Sequence, residues 1–422
     1  MSTKGVFTIS EVSGKILDNA WITCVDPFES YCTMTWGGNL YGAQGLNTCS
    51  SFPGTGRVDV SSPVQLPGSW CYAANGFQST EAGVKGDGSA YLWGWTGDIR
   101  RNLPACAGIF DGLLTALSYS SPVQIPGSWK QVWAASTTDG NGCPNISNIG
   151  YLIGINNSCE VYYAGCNSYG VFGLNSTGEF YCSWVRLPGN WCVVRSQGGR
   201  SVGIKTDGTL WAWGFQTALV DSESSLGINP SGCCEPVSSP IQIPGNWCSI
   251  DLSVNSIDVN FIGVKTDGTL WTWGCHKEGL LGNNQAAVPT SSPVQVPGTW
   301  VSADLGYRSA SARKSDGSVF VWGDNAFGHL GVNSTLLANY SSPVQVPGTW
   351  IDVQIGTNHS AGIKTDNTLF TWGRNVAGEI GNNNIASNVN NGCSSPVQIP
   401  GTNWRLLDSC FGMRCVSRAI KY

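Results

Sequence analysis

An all-β chain, folded as a seven-bladed β-propeller with four antiparallel strands per blade, is predicted by three observations. A short phrase recurs seven times, a hairpin phrase alternates with it, and the repeat is left incomplete at each end of the sequence. The first phrase reads SSPVQLPGSW from Ser61, SSPVQIPGSW from Ser120 and SSPIQIPGNW from Ser238. It returns as SSPVQVPGTW from Ser291 and Ser341, then as SSPVQIPGTNW from Ser394. A degenerate copy, CSWVRLPGNW from Cys182, places Trp184 where proline is expected. The period drifts between about 50 and 62 residues, near that of propeller blades, and loop insertions account for the drift.

The second phrase is GIKTDGTLWAWG from Gly203, GVKTDGTLWTWG from Gly263, RKSDGSVFVWG from Arg313, GIKTDNTLFTWG from Gly362 and GVKGDGSAYLWG from Gly83. GINNSCEVYYAG from Gly154 is a weaker copy, with Ala164 in place of tryptophan. Two short apolar runs flank a TDG-type turn, which is a hairpin signal. Asp-Gly is expected to supply the positive φ angles of a two-residue turn. Each repeat then reads as four strands: PVQxP, the run after PGxW, GIKT and TLWxWG. The seventh is divided. Trp404 opens a second strand, SRAIKY imitates SAGIKTD, and the missing WG strand is YCTMTWGG near the N-terminus. The predicted domain is residues 21–422, with a split blade of 21–47 plus 396–422 and a segment 1–20 as a candidate anchor. Terminal strands sharing one blade would remove two bare sheet edges and close the ring.

Thirteen of the 19 tryptophans occupy the two repeated positions: Trp36, Trp70, Trp93, Trp129, Trp191, Trp213, Trp247, Trp273, Trp300, Trp322, Trp350, Trp372 and Trp404. They are read as core packing between sheets. Each aromatic side chain buries roughly 150–250 Å², or about 4–6 kcal/mol before ordering entropy is subtracted. Charged residues make up only 12% of the chain, as suits sheets covered on both faces.

The net charge of -5 argues against a sequence-independent nucleic-acid binder. No apolar run approaches the ~20 residues of a membrane helix, so membrane insertion is not expected. The opening MSTKGVFTISEVSGKILDNAW lacks the pattern of a signal peptide, which predicts a protein made in a cytoplasm. Seventeen cysteines pull the other way, toward an oxidising environment. Cys71, Cys192 and Cys248 each follow the repeated Trp and are read as small buried hydrophobes. Cys106, Cys143, Cys233, Cys234 and Cys393 fall in loops and are the disulfide candidates.

The stretch after each WG reads WGDNAFGHLGVN from Trp322, WGRNVAGEIGNN from Trp372 and WGGNLYGAQGLN from Trp36. AGCNSYGVFGLN from Ala164 and WGCHKEGLLGNN from Trp273 follow suit. This pattern resembles the signature of regulator-of-chromosome-condensation repeats. The resemblance implies the same seven four-stranded blades. The family's namesake is a chromatin-bound guanine-nucleotide exchange factor. This sequence departs from it in lacking a basic N-terminal tail and a long inserted hairpin. Its SSPVQxPGxW style looks most like bacteriophage and environmental members, and GVFTISEVSGKILDNAW looks like the start of virion proteins.

Catalytic chemistry leaves no trace in the motifs: there is no HExxH, GxSxG or GxxxxGK[ST]. Of the three histidines, His276, His329 and His359, the last is read as a hydrogen-bonding residue of its blade. No catalytic residue, metal ligand or cofactor is assigned. Alternating strand directions put the PGxW and TDGT turns at one end of the blades and every variable connection at the other. Variable loops on a rigid frame are a recognition surface. The expected function is non-enzymatic binding, as a bacteriophage virion surface component that contacts other virion proteins or a host receptor, with homo-oligomers as an option. The first alternative is an intracellular adaptor or exchange-factor-like regulator in the cytoplasm. The second is a carbohydrate-binding or glycoside-cleaving propeller.

Overall fold

The computed structural model describes residues 32–39, 41–48, 59–75, 80–95, 118–136, 150–216, 226–228, 236–255, 258–275, 277–284, 289–334, 339–383, 392–407 and 416–421. The candidate anchor 1–20 lies outside them. Strands β1 (Cys32–Gly37) and β2 (Val60–Gln65) come first. One sheet pairs β3 (Trp70–Asn75), β4 (Thr80–Lys85), β5 (Ala90–Trp95) and β6 (Ser118–Ile125) in that order. The next pairs β7 (Gln131–Ser136), β8 (Gly150–Ile155), β9 (Val161–Cys166) and β10 (Phe180–Leu187). A larger sheet runs through β11 (Trp191–Gln197), β12 (Arg200–Lys205), β13 (Thr209–Gly214), β14 (Val237–Asn255), β15 (Asp258–Lys265), β16 (Leu270–Gly274) and β17 (Thr290–Val296). Then follow β18 (Ser302–Leu305), β19 (Ser309–Arg313), β20 (Val319–Gly323) and β21 (Tyr340–Val346). The next four-stranded sheet is β22 (Trp350–Ile355), β23 (His359–Lys364), β24 (Leu369–Gly373) and β25 (Cys393–Gln398). Last are β26 (Trp404–Leu407) and β27 (Val416–Lys421), which join β1 and β2 in the order β2-β1-β27-β26.

Every pairing is antiparallel, including that of β1 with β27, where Cys32 faces Lys421 and Gly37 faces Val416. Strand β14 belongs to two neighbours in turn: Val237–Asn246 pairs with β13, and Trp247–Asn255 pairs with β15. Elsewhere the Pro-Gly step interrupts the chain at this point and carries it to the next sheet.

The grouping of strands differs from the sequence reading in one respect. Each PVQ strand hydrogen-bonds to the WG strand before it, as β2 does to β1 and β25 to β24. It does not share a sheet with the PGxW strand that follows. The split sheet therefore takes 60–65 as its fourth strand, and 393–398 closes the sheet before it. Proline explains the preference: PVQxP lacks a donor at its proline and is suited to an outer edge. The strands after PGxW touch one another from sheet to sheet, from β3 to β7, β11, β14, β18, β22 and β26. They form the inner layer.

All thirteen repeated tryptophans are at most 5% exposed. The two positions do different work. Four PGxW indoles close their own turns, Trp70, Trp129, Trp191 and Trp247 donating to the carbonyls of Pro67, Pro126, Pro188 and Pro244. PGxW rings lie against the GIK glycine: a Cβ on Gly203 would stand 2.9 Å from Trp191, and one on Gly362 2.8 Å from Trp350. The WG indoles reach backward to the loop of the preceding sheet. Trp93 donates to Ala43, Trp213 to Val171, Trp322 to Leu280, Trp372 to His329 and Trp36 to Glu379, all to backbone carbonyls at 2.8–2.9 Å. The turn end is stitched as well, since Gly208, Gly268 and Gly317 accept from the backbone N–H of Trp247, Trp300 and Trp350.

The TDG turns depart from the expected two-residue geometry. Gly208 alone takes a positive φ, +82°, and its N–H donates to the Lys205 carbonyl. Asp207 instead accepts from the Thr209 N–H and hydroxyl, the local cap that short acidic side chains make.

The sheet that holds both chain ends meets β3–β6 through a contact of its own. Where other sheets place Ser201, Ser360 and Ser417 to donate to a loop carbonyl, β4 carries Glu81. Arg418 of β27 compensates: Nη1 lies 2.6 Å from the Glu81 carboxylate, and Nη2 donates to the Ala43 carbonyl at 2.7 Å. The two side chains are 0% and 2% exposed. Removing one partner of a buried pair strands the other charge, at about 3–5 kcal/mol. Arg418→Met should therefore lower unfolding stability by that amount in equilibrium denaturation. Arg418→Met combined with Glu81→Ser should recover most of the loss.

Candidate functional site

Strand directions sort the connections. The Pro-Gly and TDG turns leave one end of the sheets, and the WG-to-SSP and second-to-third-strand connections leave the other. Between strand ends the first set is short and uniform. The second ranges from the tight link Ile355–His359 to the long ones 96–117 and 215–236. This variable end is the candidate binding surface.

Its described part is rigid. In each WGxN stretch the asparagine is buried, and its carbonyl oxygen accepts a loop N–H five residues on: Asn39 from Gln44, Asn167 from Phe172, Asn325 from Leu330 and Asn375 from Ile380. The loop ends on an asparagine in the left-handed region, such as Asn175 or Asn333. That residue hydrogen-bonds both the backbone and a serine hydroxyl of the next SSP strand, as in Asn175 with Ser238 and Ser239. These asparagines were quoted in the sequence pattern without a role. Their recurrence at fixed spacing was the available signal.

Two histidines lie beneath this end. His359 is 2% exposed, and its Nε2 sits 2.8 Å from the Ser417 hydroxyl. His329 is fully buried, and neither ring nitrogen has a hydrogen-bond partner among the described residues. Burial drives its pKa from the ordinary 6.5 down to about 4, with Asp324 opposing and His359 assisting. His276 lies outside the described residues. Among the described residues no three His, Cys, Asp or Glu side chains group to hold a metal.

On the inner layer, Arg195, Asp251, Asp304 and Gln354 occupy equivalent positions, four residues after their tryptophans. Arg195 Nε lies 3.6 Å from Asp251. Asp251 accepts from the Leu305 N–H at 2.9 Å, and Asp304 from the Ile355 N–H at 3.4 Å. Burial raises both pKa values, and the Asp251 charge adds to the rise at Asp304.

The lysine of each GIKT run gains a role the sequence left blank. Lys205 Nζ lies 3.8 Å above the Trp211 ring and 5.2 Å from Trp191, and Lys265 repeats this with Trp271 and Trp247. Cation–π contact lets a charged stem cover the aromatic layer at the turn end.

The cysteines call for two corrections. Cys393, expected in a loop disulfide, is a free half-buried thiol on β25 facing Gly373, and burial pushes its pKa up. Cys71, expected to be a simple buried hydrophobe, is disulfide-bonded, as are Cys166 and Cys182. Cys192 and Cys248 are buried and lie outside any disulfide. Cys106, Cys143, Cys233 and Cys234 lie outside the described residues.

Comparison with known proteins now becomes informative. Residues 267–311 and 316–363 match the model of the regulator of chromosome condensation (RCC1) repeat, and a second model of the same description matches 350–379. Over those residues the chain is similar to RCC1 repeats. A Caenorhabditis elegans X-linked retinitis pigmentosa GTPase regulator homolog is 25% identical, over 41% of this chain and 15% of that protein's length. Among solved structures, Prp20p of Saccharomyces cerevisiae superposes with a TM-score of 0.71 at 15% identity, over 96% of this chain and 95% of its own. Human WBSCR16 gives 0.68 at 17% identity, over 93% and 99%. This chain shares their fold. Prp20p was solved with a description of its binding to Gsp1p and histones.

Two pH dependences follow. The unfolded chain takes a proton on His329 below pH 6.5 that the folded chain accepts only near 4. Stability should fall as pH drops through that window, by up to about 3 kcal/mol. His329→Leu, matching Leu280 in the equivalent loop, should flatten this limb in denaturant titrations. Asp304 acts with the opposite sign. Its folded pKa is raised, so its contribution is present at low pH and lost as pH rises above the ordinary carboxyl range. Asp304→Asn should raise the melting temperature at pH 7, and the gain should vanish near pH 4.

Proposed function

We propose that this chain is a non-enzymatic, protein-binding propeller of seven blades, its ring closed by the sheet that both chain ends share. Counting each half of β14 with its own partner gives seven four-stranded blades, which are the basis of this reading. The partner docks on the end that carries the variable connections. One observation carries the assignment: every connection of irregular length leaves the same end of the sheets, and every uniform turn leaves the other. A frame stitched by backbone and indole hydrogen bonds at both ends holds those connections in fixed relation, as recognition requires.

The relatives favour a regulator or adaptor over the virion component that the sequence first suggested. One is named as a GTPase regulator homolog, and another was described with its binding to Gsp1p and histones. A small GTPase is the first partner class to test. The acidic balance of the chain, with 22 basic and 27 acidic residues, favours protein over nucleic acid. The whole chain should be immobilised and probed at low salt with a Gsp1p-type GTPase, GDP-bound and nucleotide-free, and with histones. Saturable binding is expected, lost when 96–117 is replaced by a short Gly-Ser linker and retained in Asp207→Ser at the opposite end. Equal loss in both variants would place the contact elsewhere. Co-purification with viral particles in place of any such binding would restore the virion reading.

A further inference from the structure

Two seams between sheets depart from the pattern of the others, and Arg418 paired with Glu81 fills one of them. On the strands of the GIK runs, two side chains otherwise face the next sheet and form its apolar wedge. They are Ala82 and Val84, Ile153 and Ile155, Val202 and Ile204, Ile262 and Val264, and Ala361 and Ile363, none more than 2% exposed. On β19 the same two positions hold Ser311 and Arg313. A cavity of about 120 Å³ opens there against β22, with Ser302, Asp304, Ser311, Arg313, Asp352 and Gln354 supplying its polar wall.

A guanidinium at an otherwise apolar core position needs a reason. The Arg313 guanidinium makes no hydrogen bond and no ion pair within 4.0 Å among the described residues; burial opposes its charge, and the field of Asp352 supports it. Its five N–H donors form a fork matched to a carboxylate. The Asp304 and Asp352 carboxyls stand in the same wall, and their field works against a simple anion. A ligand carrying both signs satisfies both sides. The volume is well below the roughly 300–1,000 Å³ of sites for larger ligands, so the occupant is small.

We propose that this seam cavity binds a small free α-amino acid, its carboxylate forked by Arg313 and its ammonium toward Asp352 and Asp304. The site lies between two inner-layer strands, apart from the variable end, and does not depend on the partner assigned there.

Titration calorimetry of the whole chain with glycine, L-alanine and L-serine tests this, with acetate and methylammonium as single-charge probes. Saturable heat is expected with at least one of the amino acids, and at least tenfold weaker binding of acetate and methylammonium. Arg313→Ile restores the residue type of the other seams. It should weaken amino-acid binding at least tenfold with an unchanged or higher melting temperature. If that variant fails to fold, Arg313→Lys keeps the charge without the fork and should also bind at least tenfold more weakly. The proposal is overturned by the absence of saturable heat with all three amino acids. It is equally overturned by acetate binding as tightly as glycine, or by undiminished binding in the folded Arg313 variant.

Discussion

The indole N–H of five WG tryptophans, donated backward to a loop carbonyl of the preceding sheet, is the contact on which the arrangement depends. A four-stranded sheet alone has two exposed faces and too little buried surface to persist. Trp36, Trp93, Trp213, Trp322 and Trp372 place their largest apolar group and their one polar atom across a boundary between sheets. Burial and direction are thus supplied by one side chain. The loop it grasps must present its carbonyl at a fixed height, which explains the buried asparagine that holds each WGxN stretch in shape. The shape of the variable end and the stability of the core therefore share the same loops.

Much of this was legible in the sequence because repetition averages out local ambiguity. Any one copy of TLWxWG is a plausible strand, and several copies in phase with PGxW leave few other readings. Other features resisted. The partner of each PVQ strand was misjudged because sequence adjacency suggests one sheet where the hydrogen bonds choose another. The turn type was missed because Asp-Gly suits two geometries, and only the bond from the Gly208 N–H to the Lys205 carbonyl selects one. Cysteine pairing depends on distances that no spacing reveals, so Cys71 and Cys393 exchanged roles. Arg313 stood in plain view in RKSDGSVF, but its meaning appears only once the five apolar pairs at the same level are seen around it.

Ionisable groups are rare in this chain, and those that are buried sit at boundaries between sheets. Arg418 with Glu81, Asp304 with Asp251, and His329 near His359 each mark a junction where one repeat departs from its siblings. Identical wedges would let neighbouring repeats exchange places at little cost. Junctions with their own charge pattern oppose such slippage, in the way a single polar residue fixes register elsewhere.

The pairing of Cys32 with Lys421 has a practical side. Strand β1 sets out from the end where β27 finishes, the same end as the TDG turns. Both strand ends, Cys32 and Lys421, therefore stand at the uniform end of the sheets, opposite the variable connections. A surface tether attached at Lys421 would start from that uniform end.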